Sequence, residues 1–254
     1  MRIGRMWCAL SVVLALTIGT GARAAEETAG LWIGAVTLFQ ATPLGAAQDA
    51  KPVSVASEFS FRFIAHQPSE GQAQLLKEAT LIWALARGEV GAASTEERVF
   101  ASAEGVRASL KALGAVDGRQ VRARRFSSPA FAFDGAAREM VGRFGAGQLV
   151  QVDLELPSEH PLNPYRHGYH PDFDGVDALG RANNEVPMLR RSISIRFNEG
   201  SGAAAADAPL RGTYQERIDG LAAAPLLLAG TITLRRISTV GVLGAEGDGA
   251  GADQ

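Results

Sequence analysis

The chain has 254 residues, of which 46% are hydrophobic and 20% are charged, so it is long enough to bury one sizeable core. One cysteine excludes a disulfide framework, a cysteine-rich zinc module and an iron–sulfur site, and the formal net charge of −2 gives no reason to expect a nucleic-acid partner. The balanced composition also excludes collagen, a coiled coil and a chain that is disordered throughout.

The first 24 residues have the three parts of an export signal. Two arginines give a positive start, residues 7–18 form an apolar stretch, and a small-x-small cleavage site ends at Ala24. We therefore expect a mature periplasmic or extracellular protein that begins near Ala25 and has lost the cysteine. Three arginines leave with the signal, so 22 basic residues remain against 27 acidic ones, a net charge of −5. No later apolar stretch reaches about eighteen residues, so we expect no transmembrane segment.

Alternation of apolar and polar side chains dominates the rest of the chain and predicts β-strands. The first strand is expected over residues 30–39. A hairpin is expected from residues 58–66 and 72–84, because the turn signal Pro68-Ser-Glu-Gly71 separates two strand-like runs. Further strands are predicted at residues 148–156, 189–197, 210–218 and 226–237, and loops at residues 41–55, 178–186 and 199–208.

Helical spacing is confined to the excursion between residues 86 and 147. Residues 102–113 place apolar side chains four and three apart, and residues 135–144 show a similar pattern. The lack of regular strand–helix alternation argues against a parallel α/β sheet. We predict a mainly β fold, an antiparallel barrel or sandwich with one or two short helices in the central excursion. It forms a single domain over residues 25–243, followed by a disordered tail at residues 244–254.

The two ends of the domain carry a shared pattern. Gly30-Leu-Trp32 opens the first strand, and Arg235 and Arg236 lie in the last one. This pattern resembles the lipocalin-like (calycin) arrangement, which implies a barrel in which an arginine of the final strand covers the first-strand tryptophan. Such a pair combines buried apolar area with a cation–π contact. Neighbouring strand residues face opposite sides, so we expect only one of the two arginines to lie beside a buried Trp32.

A second resemblance extends over more of the chain. Its segments are Gly30-Leu-Trp-Ile-Gly34, Phe61-Arg-Phe-Ile-Ala-His66, Gln74-Leu-Leu-Lys-Glu78, Asn163-Pro-Tyr-Arg-His167-Gly-Tyr-His170-Pro-Asp172-Phe-Asp174 and Gly212-Thr-Tyr-Gln-Glu216. With these segments the chain resembles uncharacterised β-rich modules of secreted bacterial proteins. The resemblance implies export and a β fold, and it carries over no catalytic residue.

The densest polar cluster lies in residues 160–177, which hold three of the four histidines. Three prolines exclude a regular helix or central strand, so we expect an ordered, irregular loop. Two imidazoles three apart, followed by two carboxylates, could bind zinc, manganese or calcium. The candidate ligands are His167, His170, Asp172 and Asp174. The alternative is a loop held by histidine-to-backbone and aspartate-turn hydrogen bonds, with its aromatic side chains packed on the barrel.

Other candidate signals are weaker. The sequence has no Gly-x-Ser-x-Gly elbow, no His-Glu-x-x-His motif and no phosphate-binding glycine loop. Asp153 and Glu155 could form a glycosidase-type pair, but strand carboxylates are most often solvated. The basic run Val121–Phe126 is interpreted as a solvated strand face, and His66 as a surface or turn residue.

These observations favour an exported, non-enzymatic binding or structural module of the cell envelope or secretome, with an envelope or extracellular partner. No cofactor is expected unless residues 160–177 hold a divalent metal. One alternative is a metal-dependent hydrolase that uses this histidine and aspartate loop. A second alternative is a carrier of small apolar ligands in a calycin-like barrel, which requires that Phe59, Phe61 and Phe63 line a hollow interior rather than fill it.

Overall fold

Strands carry almost the whole fold in the part of the chain that the computed structural model describes. The described residues are 28–43, 46–47, 49–85, 96–107, 120–166, 188–200 and 208–244. The strands are β1 (Gly30–Ala41), β2 (Val53–Gln67), β3 (Gln74–Leu76), β4 (Glu78–Leu85), β5 (Glu96–Phe100), β6 (Gln120–Ser127), β7 (Ala137–Glu139), β8 (Leu149–Leu156), β9 (Leu189–Phe197), β10 (Leu210–Asp219) and β11 (Leu226–Ser238). Within these ranges, no helix is long and apolar enough to cross a membrane.

Eight strands form one antiparallel sheet that curls into a nearly closed barrel, which confirms the predicted fold class. Their order around the barrel is β7-β3-β2-β1-β11-β10-β9-β8, so the first and last of the described strands are neighbours. Just beyond the end of β7, an isolated bridge reaches the edge strand β8, where the Val141 and Gln151 backbones exchange hydrogen bonds of 2.7 and 2.9 Å. We call the end of the barrel at which β1 finishes the upper end, and the opposite end the lower end.

Close packing of the strands depends on glycines at inward positions. Gly34 of β1 lies so near β11 that a Cβ there would overlap the carbonyl oxygen of Thr233. A Cβ at Gly230 of β11 would likewise overlap the carbonyl oxygen of Thr37 on β1. Missing side chains at these positions let the strands coil sharply, which a small barrel requires.

The barrel encloses the larger of two apolar cores in the described part of the chain. Buried inward side chains alternate with exposed outward ones, most regularly along β8 and β10. The segment between β6 and β7 adds further rings to the interior. Its Phe131 meets Phe61 and Phe63 edge-on, each at a centroid distance of 5.6 Å.

A second, three-stranded sheet in the order β5-β4-β6 covers part of the outer wall of the barrel. Outward side chains of the barrel such as Leu31 and Ile64 belong to the same buried cluster as Leu81 and Phe126 of this small sheet. Strands β1 and β2 therefore carry apolar side chains on both faces toward the lower end. One face belongs to the barrel core, and the other packs under the small sheet.

The predicted hairpin of residues 58–66 and 72–84 is confirmed only in its first part. Strand β2 pairs with β3 as expected, but this strand ends before Lys77, and the polypeptide continues as β4 in the other sheet. The Lys77 ammonium donates a hydrogen bond of 2.8 Å to the Phe133 carbonyl and lies 5.1 Å from the Phe133 ring centroid. This contact fixes the corner at which the chain leaves the barrel.

The helix predicted at residues 135–144 is wrong. Strand β7 lies there, and its flanking glycines, Gly135 and Gly142, have φ values of 81° and 110°, which no right-handed helix contains. The Met140 amide donates a hydrogen bond of 2.8 Å to the Ala73 carbonyl. Pairing with the β3 edge therefore overrides the local helical spacing.

The other helix, predicted at residues 102–113, is confirmed over residues 103–107, and the rest of that range lies outside the described residues. The Ser102 hydroxyl accepts a hydrogen bond of 3.1 Å from the Gly105 amide and so caps its first turn. The loop predicted at residues 41–55 is shorter than expected, because β1 extends to Ala41 and β2 begins at Val53.

Candidate functional site

A buried polar network lies inside the upper half of the barrel, among otherwise apolar side chains. The Glu216 carboxylate accepts hydrogen bonds from the Tyr214 hydroxyl at 2.7 Å and from Nε of Arg191 at 2.5 Å. Glu216 is 3% exposed and Tyr214 is 0% exposed. Charged side chains are rarely buried without a specific reason, so we take this network as the candidate site.

Strand register brings the three side chains together. Tyr214 and Glu216 both turn inward from β10, because residues two apart on a strand share a face. Glu216 stands opposite Ile193 of β9, and Arg191 stands opposite Ile218. Arg191 therefore reaches Glu216 along the diagonal between neighbouring strands, a separation that long side chains can span.

The segment between β6 and β7 completes the surroundings of Arg191. Nη1 of Arg191 donates a hydrogen bond of 2.5 Å to the Ala130 carbonyl, and its guanidinium lies 5.1 Å from the Phe131 ring centroid. The Ser128 hydroxyl holds this segment against β2 by donating a hydrogen bond of 2.5 Å to the Arg62 carbonyl. The network thus ties β9 and β10 to the segment that fills the upper half of the barrel.

The pKa values of Tyr214 and Arg191 are both raised above their ordinary values. Burial, together with the neighbouring Glu216 carboxylate, raises the pKa of the Tyr214 hydroxyl well above its ordinary value. Burial lowers the pKa of Arg191, but the charge and hydrogen bond of Glu216 outweigh it, and the net shift is upward. Tyr214 therefore keeps its proton and acts as a hydrogen-bond donor, not as a nucleophile.

Sequence reasoning missed this network, although part of its signal is visible. The predicted strand at residues 210–218 places Tyr214 and Glu216 on its apolar face. A carboxylate on such a face indicates a buried partner, because an isolated buried charge is very costly. The partner, Arg191, lies in another predicted strand, and the register between the two strands is not encoded in either of them alone.

The first residues of the histidine and aspartate loop form irregular turns at the upper end. Nδ1 of His160 accepts a hydrogen bond of 3.1 Å from the Leu162 amide, and Oδ1 of Asn163 accepts one of 2.9 Å from the Tyr165 amide. The Tyr165 hydroxyl donates a hydrogen bond of 2.7 Å to the Leu221 carbonyl. Up to residue 166, the loop is therefore held by local hydrogen bonds and by a docked tyrosine.

The four candidate metal ligands lie outside the described residues. His167, His170, Asp172 and Asp174 all fall in residues 167–187, so their arrangement stays a prediction. The expected export signal at residues 1–24 and the tail from residue 245 onward also lie outside the described part. Among the residues that the structure does describe, no group of three or more His, Cys, Asp or Glu side chains could hold a metal ion.

The lower end of the barrel joins the first and last strands through a tryptophan and an arginine. Trp32, which is 3% exposed, stands directly opposite Arg236, whose guanidinium lies 5.8 Å from the indole centroid. The indole Nε1 donates a hydrogen bond of 2.8 Å to the Thr28 carbonyl. Arg235 faces outward and is exposed. The predicted contact between Trp32 and one of the two arginines is confirmed, while membership of the calycin family stays a prediction.

The surface role predicted for His66 is wrong. His66 is 1% exposed, and it points outward from the barrel into the region covered by the small sheet. Its Nε2 donates a hydrogen bond of 2.9 Å to the Val240 carbonyl, so Nδ1 carries no proton in the neutral ring. Nδ1 has no hydrogen bond of normal geometry, although Gln74 is the cross-strand neighbour of His66. Burial lowers the pKa of His66 more than these polar neighbours raise it.

Other candidates from the sequence face solvent. Asp153 and Glu155 are exposed on the outer side of β8, and Glu155 lies 3.5 Å from Nε of Arg190. Arg122 and Arg124 of the basic run are exposed on β6, as predicted for a solvated strand face.

No protein-family model matches the chain, and no curated protein matches it. The function must therefore be argued from the geometry of the barrel.

Proposed function

We propose that the protein is an exported, non-enzymatic binding or structural module of the cell envelope or secretome, and that it acts through the outer surface of its barrel. The observation that carries this proposal is the dense packing of the barrel interior. An interior that is filled by the protein's own side chains leaves the outer wall and the loops as the surfaces available to a partner.

Aromatic side chains occupy the barrel from just below its upper end. Along β2 the inward phenylalanines pass from 62% exposed at Phe59, through half-buried at Phe61, to 0% exposed at Phe63. Phe63 packs edge-on against Phe131, and Phe61 lies 5.9 Å from the ring centroid of Tyr214. A carrier of small ligands needs a cavity of roughly 300–1,000 Å³, whereas rings at contact distance occupy that space themselves.

The buried network supports the same function. Glu216 already accepts hydrogen bonds from Tyr214 and Arg191, and Arg191 also donates to the Ala130 carbonyl. A ligand that entered the upper barrel would separate these groups, and a buried charge that loses its partner costs roughly 3–5 kcal/mol. The network is therefore suited to holding the barrel closed, not to exchanging ligands or protons.

The lower end of the barrel is closed as well. Phe144 packs edge-on against Trp32 with ring centroids 6.0 Å apart. The Phe144 amide donates a hydrogen bond of 2.9 Å to Oε1 of Gln67. Arg143 donates hydrogen bonds to the carbonyls of the turn between β2 and β3, including that of Pro68 at 2.9 Å. Together, Arg143 and Phe144 cover the lower end of the aromatic core.

Titration with apolar ligands tests whether the barrel interior is filled. Long-chain fatty acids and a fluorescent apolar probe should neither bind stoichiometrically nor raise the melting temperature of the wild-type protein. The matched control is Phe131→Ala, which should open a cavity that takes benzene and is stabilised by it. If this control does not fold, Phe131→Val replaces it. Stoichiometric, stabilising binding of a fatty acid to the wild type would overturn the proposal in favour of a carrier.

Elemental analysis separates this proposal from a metal-dependent hydrolase. We expect the purified mature protein to hold no stoichiometric zinc, manganese or calcium. If a stoichiometric metal is present, and the double variant His167→Ala/His170→Ala loses it while His160→Ala keeps it, the hydrolase alternative gains the site that it needs. His160 is the suitable control because its ring nitrogen is already engaged by the Leu162 amide.

Export is tested by the mass of the mature chain. Protein recovered from the periplasm or the medium should begin near Ala25, as the cleavage signal predicts. Exported material that retains Met1 would contradict the proposed signal.

A further inference from the structure

The outer wall of the barrel carries an ordered face that the core and the polar network do not explain. One cross-strand row runs through outward positions of five neighbouring strands, in the order Arg196, Thr213, Thr231, Thr37 and Ser60. All but Thr37 are exposed, and the Thr37 and Ser60 hydroxyls lie 2.9 Å apart. Four hydroxyl groups thus stand side by side on successive strands, beside one guanidinium.

A second row lies next to the first, toward the lower end. It runs through outward positions in the order Arg211, Thr233, Ala35 and Arg62, all of them exposed. Arg235, two residues beyond Thr233 on β11, is also outward and exposed. We call these two rows together with Arg235 the hydroxyl face. It contains five hydroxyl groups between four arginines.

The charge of the hydroxyl face is opposite to that of the chain as a whole. None of its positions is acidic, although the full sequence holds 27 acidic residues against 25 basic ones. Among the described residues, the nearest carboxylate at an outward position of these strands is Glu58, two residues above Ser60, and Glu199 lies in the turn that follows β9. Higher on the wall, Arg217 is neutralised by Asp219 at 2.7 Å. Among its own side chains, the hydroxyl face therefore holds four guanidinium groups and no carboxylate.

The shape of the face favours an extended ligand. Threonine, serine and alanine are short side chains, so the floor between the arginines is shallow and open. Neighbouring strands lie about 4.8 Å apart, so the first row, which crosses four strand spacings, is roughly 19 Å long when measured along the curved wall of the barrel. The backbone positions of this row repeat at the strand spacing, which is close to the length of one sugar ring along a polysaccharide chain, while the Thr37 and Ser60 hydroxyls draw together to 2.9 Å.

We propose that the hydroxyl face binds a linear anionic polysaccharide whose sugar units carry carboxylates. Arginine guanidinium groups bind carboxylates through paired hydrogen bonds, and the threonine and serine hydroxyls can both donate to and accept from sugar hydroxyls. This inference rests on the proposed function and names the ligand class for the outer surface.

The composition of the face favours a polysaccharide over other polyanions. Proteins that bind single-stranded nucleic acid stack bases on aromatic side chains, and neither row holds an aromatic residue. Interfacial membrane binding requires apolar side chains beside the basic ones, whereas the floor here consists of hydroxyl groups and one alanine. The hydroxyl rows can contribute to binding only through hydrogen bonds, so the ligand must itself carry many polar groups.

The first experiment measures binding of polygalacturonate oligosaccharides to the mature protein, with neutral dextran as the comparison ligand. Polygalacturonate should bind with an affinity that falls as salt rises, and dextran should not bind. The double variant Arg196→Gln/Arg235→Gln should weaken binding at least about tenfold, which corresponds to about 1.4 kcal/mol. The matched control Arg190→Gln/Arg217→Gln alters outward arginines higher on β9 and β10 and should change binding less than about twofold. Equal losses in the two double variants would overturn the proposal.

The second experiment tests the hydroxyl groups at unchanged charge. Thr213→Val/Thr231→Val should weaken polygalacturonate binding several-fold, and circular dichroism should confirm that the fold is retained. Unchanged binding in this variant would overturn the proposal, as would equal or tighter binding of the wild type to single-stranded DNA or to vesicles of anionic phospholipid. These results would overturn the polysaccharide proposal and leave the proposed function standing. Only stoichiometric uptake of an apolar ligand would show that the barrel interior is not filled.

Discussion

Arg236 lies across the indole of Trp32, and the two residues occupy directly opposed positions on the last and first strands of the barrel. The contact joins β1 and β11 at the lower end of the barrel, close to where Nη1 of Arg236 donates a hydrogen bond of 3.3 Å to the Ala29 carbonyl. Guanidinium–indole packing and a charge-assisted hydrogen bond therefore both stabilise the contact between the first and last strands of the barrel.

Replacing Arg236 should therefore weaken barrel closure. We expect Arg236→Ala to lower the free energy of unfolding by about 1–3 kcal/mol, through loss of the cation–π contact and of the hydrogen bond to Ala29. Its neighbour supplies the control, since Arg235→Ala should change stability by less than about 0.5 kcal/mol at an exposed position. Urea unfolding followed by tryptophan fluorescence measures both variants. A similar loss in the two variants would contradict the role of the Trp32 contact.

The buried ion pair of the upper barrel predicts strong non-additivity. Glu216→Leu leaves Arg191 charged and without its carboxylate, so we expect a loss of about 3–5 kcal/mol. The double variant Arg191→Met/Glu216→Leu removes both charges and should recover most of this loss. Tyr214→Phe, which removes one hydrogen bond, should cost about 1–2 kcal/mol. A double-mutant cycle by chemical unfolding gives the coupling energy, and additive losses at Arg191 and Glu216 would argue against a coupled buried pair.

The burial of His66 predicts a loss of stability in acid. Its pKa in the folded state is below the ordinary value of 6.5, so the unfolded chain takes up the proton more readily as the pH falls. The stability that comes from the neutral ring is complete above pH 6.5 and decreases as the pH falls from there toward the folded-state pKa. His66→Gln keeps a side-chain donor near the Val240 carbonyl but does not titrate. Its denaturation midpoint should fall less between pH 7.5 and pH 5 than that of the wild type, and parallel curves would refute this assignment.

The inward glycines predict an intolerant position in β1. Gly34→Ala should destabilise the barrel severely, because the added Cβ would overlap the Thr233 carbonyl oxygen and force β1 and β11 apart. Gly200→Ala is the matched control, since nothing lies within 4 Å of the Cβ position there. Thermal unfolding of both variants checks the prediction. A melting temperature for Gly34→Ala equal to that of the control would show that the two strands separate without cost.

The strands of the barrel could be predicted from the sequence wherever apolar and polar side chains alternate regularly. The predicted strand at residues 189–197 coincides with β9, and the strand predicted at residues 148–156 coincides with β8 apart from one residue. Prediction failed where a long-range partner decides the conformation. Residues 135–144 have helical spacing of apolar side chains, yet β7 forms there because the β3 edge needs a neighbour.

The candidate site was harder to predict because it depends on register. The pattern of residues 210–218 shows that Glu216 turns toward apolar neighbours, but it does not show that Arg191 stands one diagonal step away on β9. The burial of His66 has a similar explanation. Its strand ends next to a turn, which suggests a surface position, and only the return of the chain near Val240 covers it.

The pairing of β1 with β11 has a consequence for the order in which the chain folds. Almost the whole domain lies between these two strands in sequence, so their contacts have a very high sequence separation, which slows folding. While the chain is being synthesised, Trp32 has no cover from β11, and the barrel cannot close until the final strand is complete. This delay suits the proposed export, because the closed barrel becomes reachable only after β11 has been made.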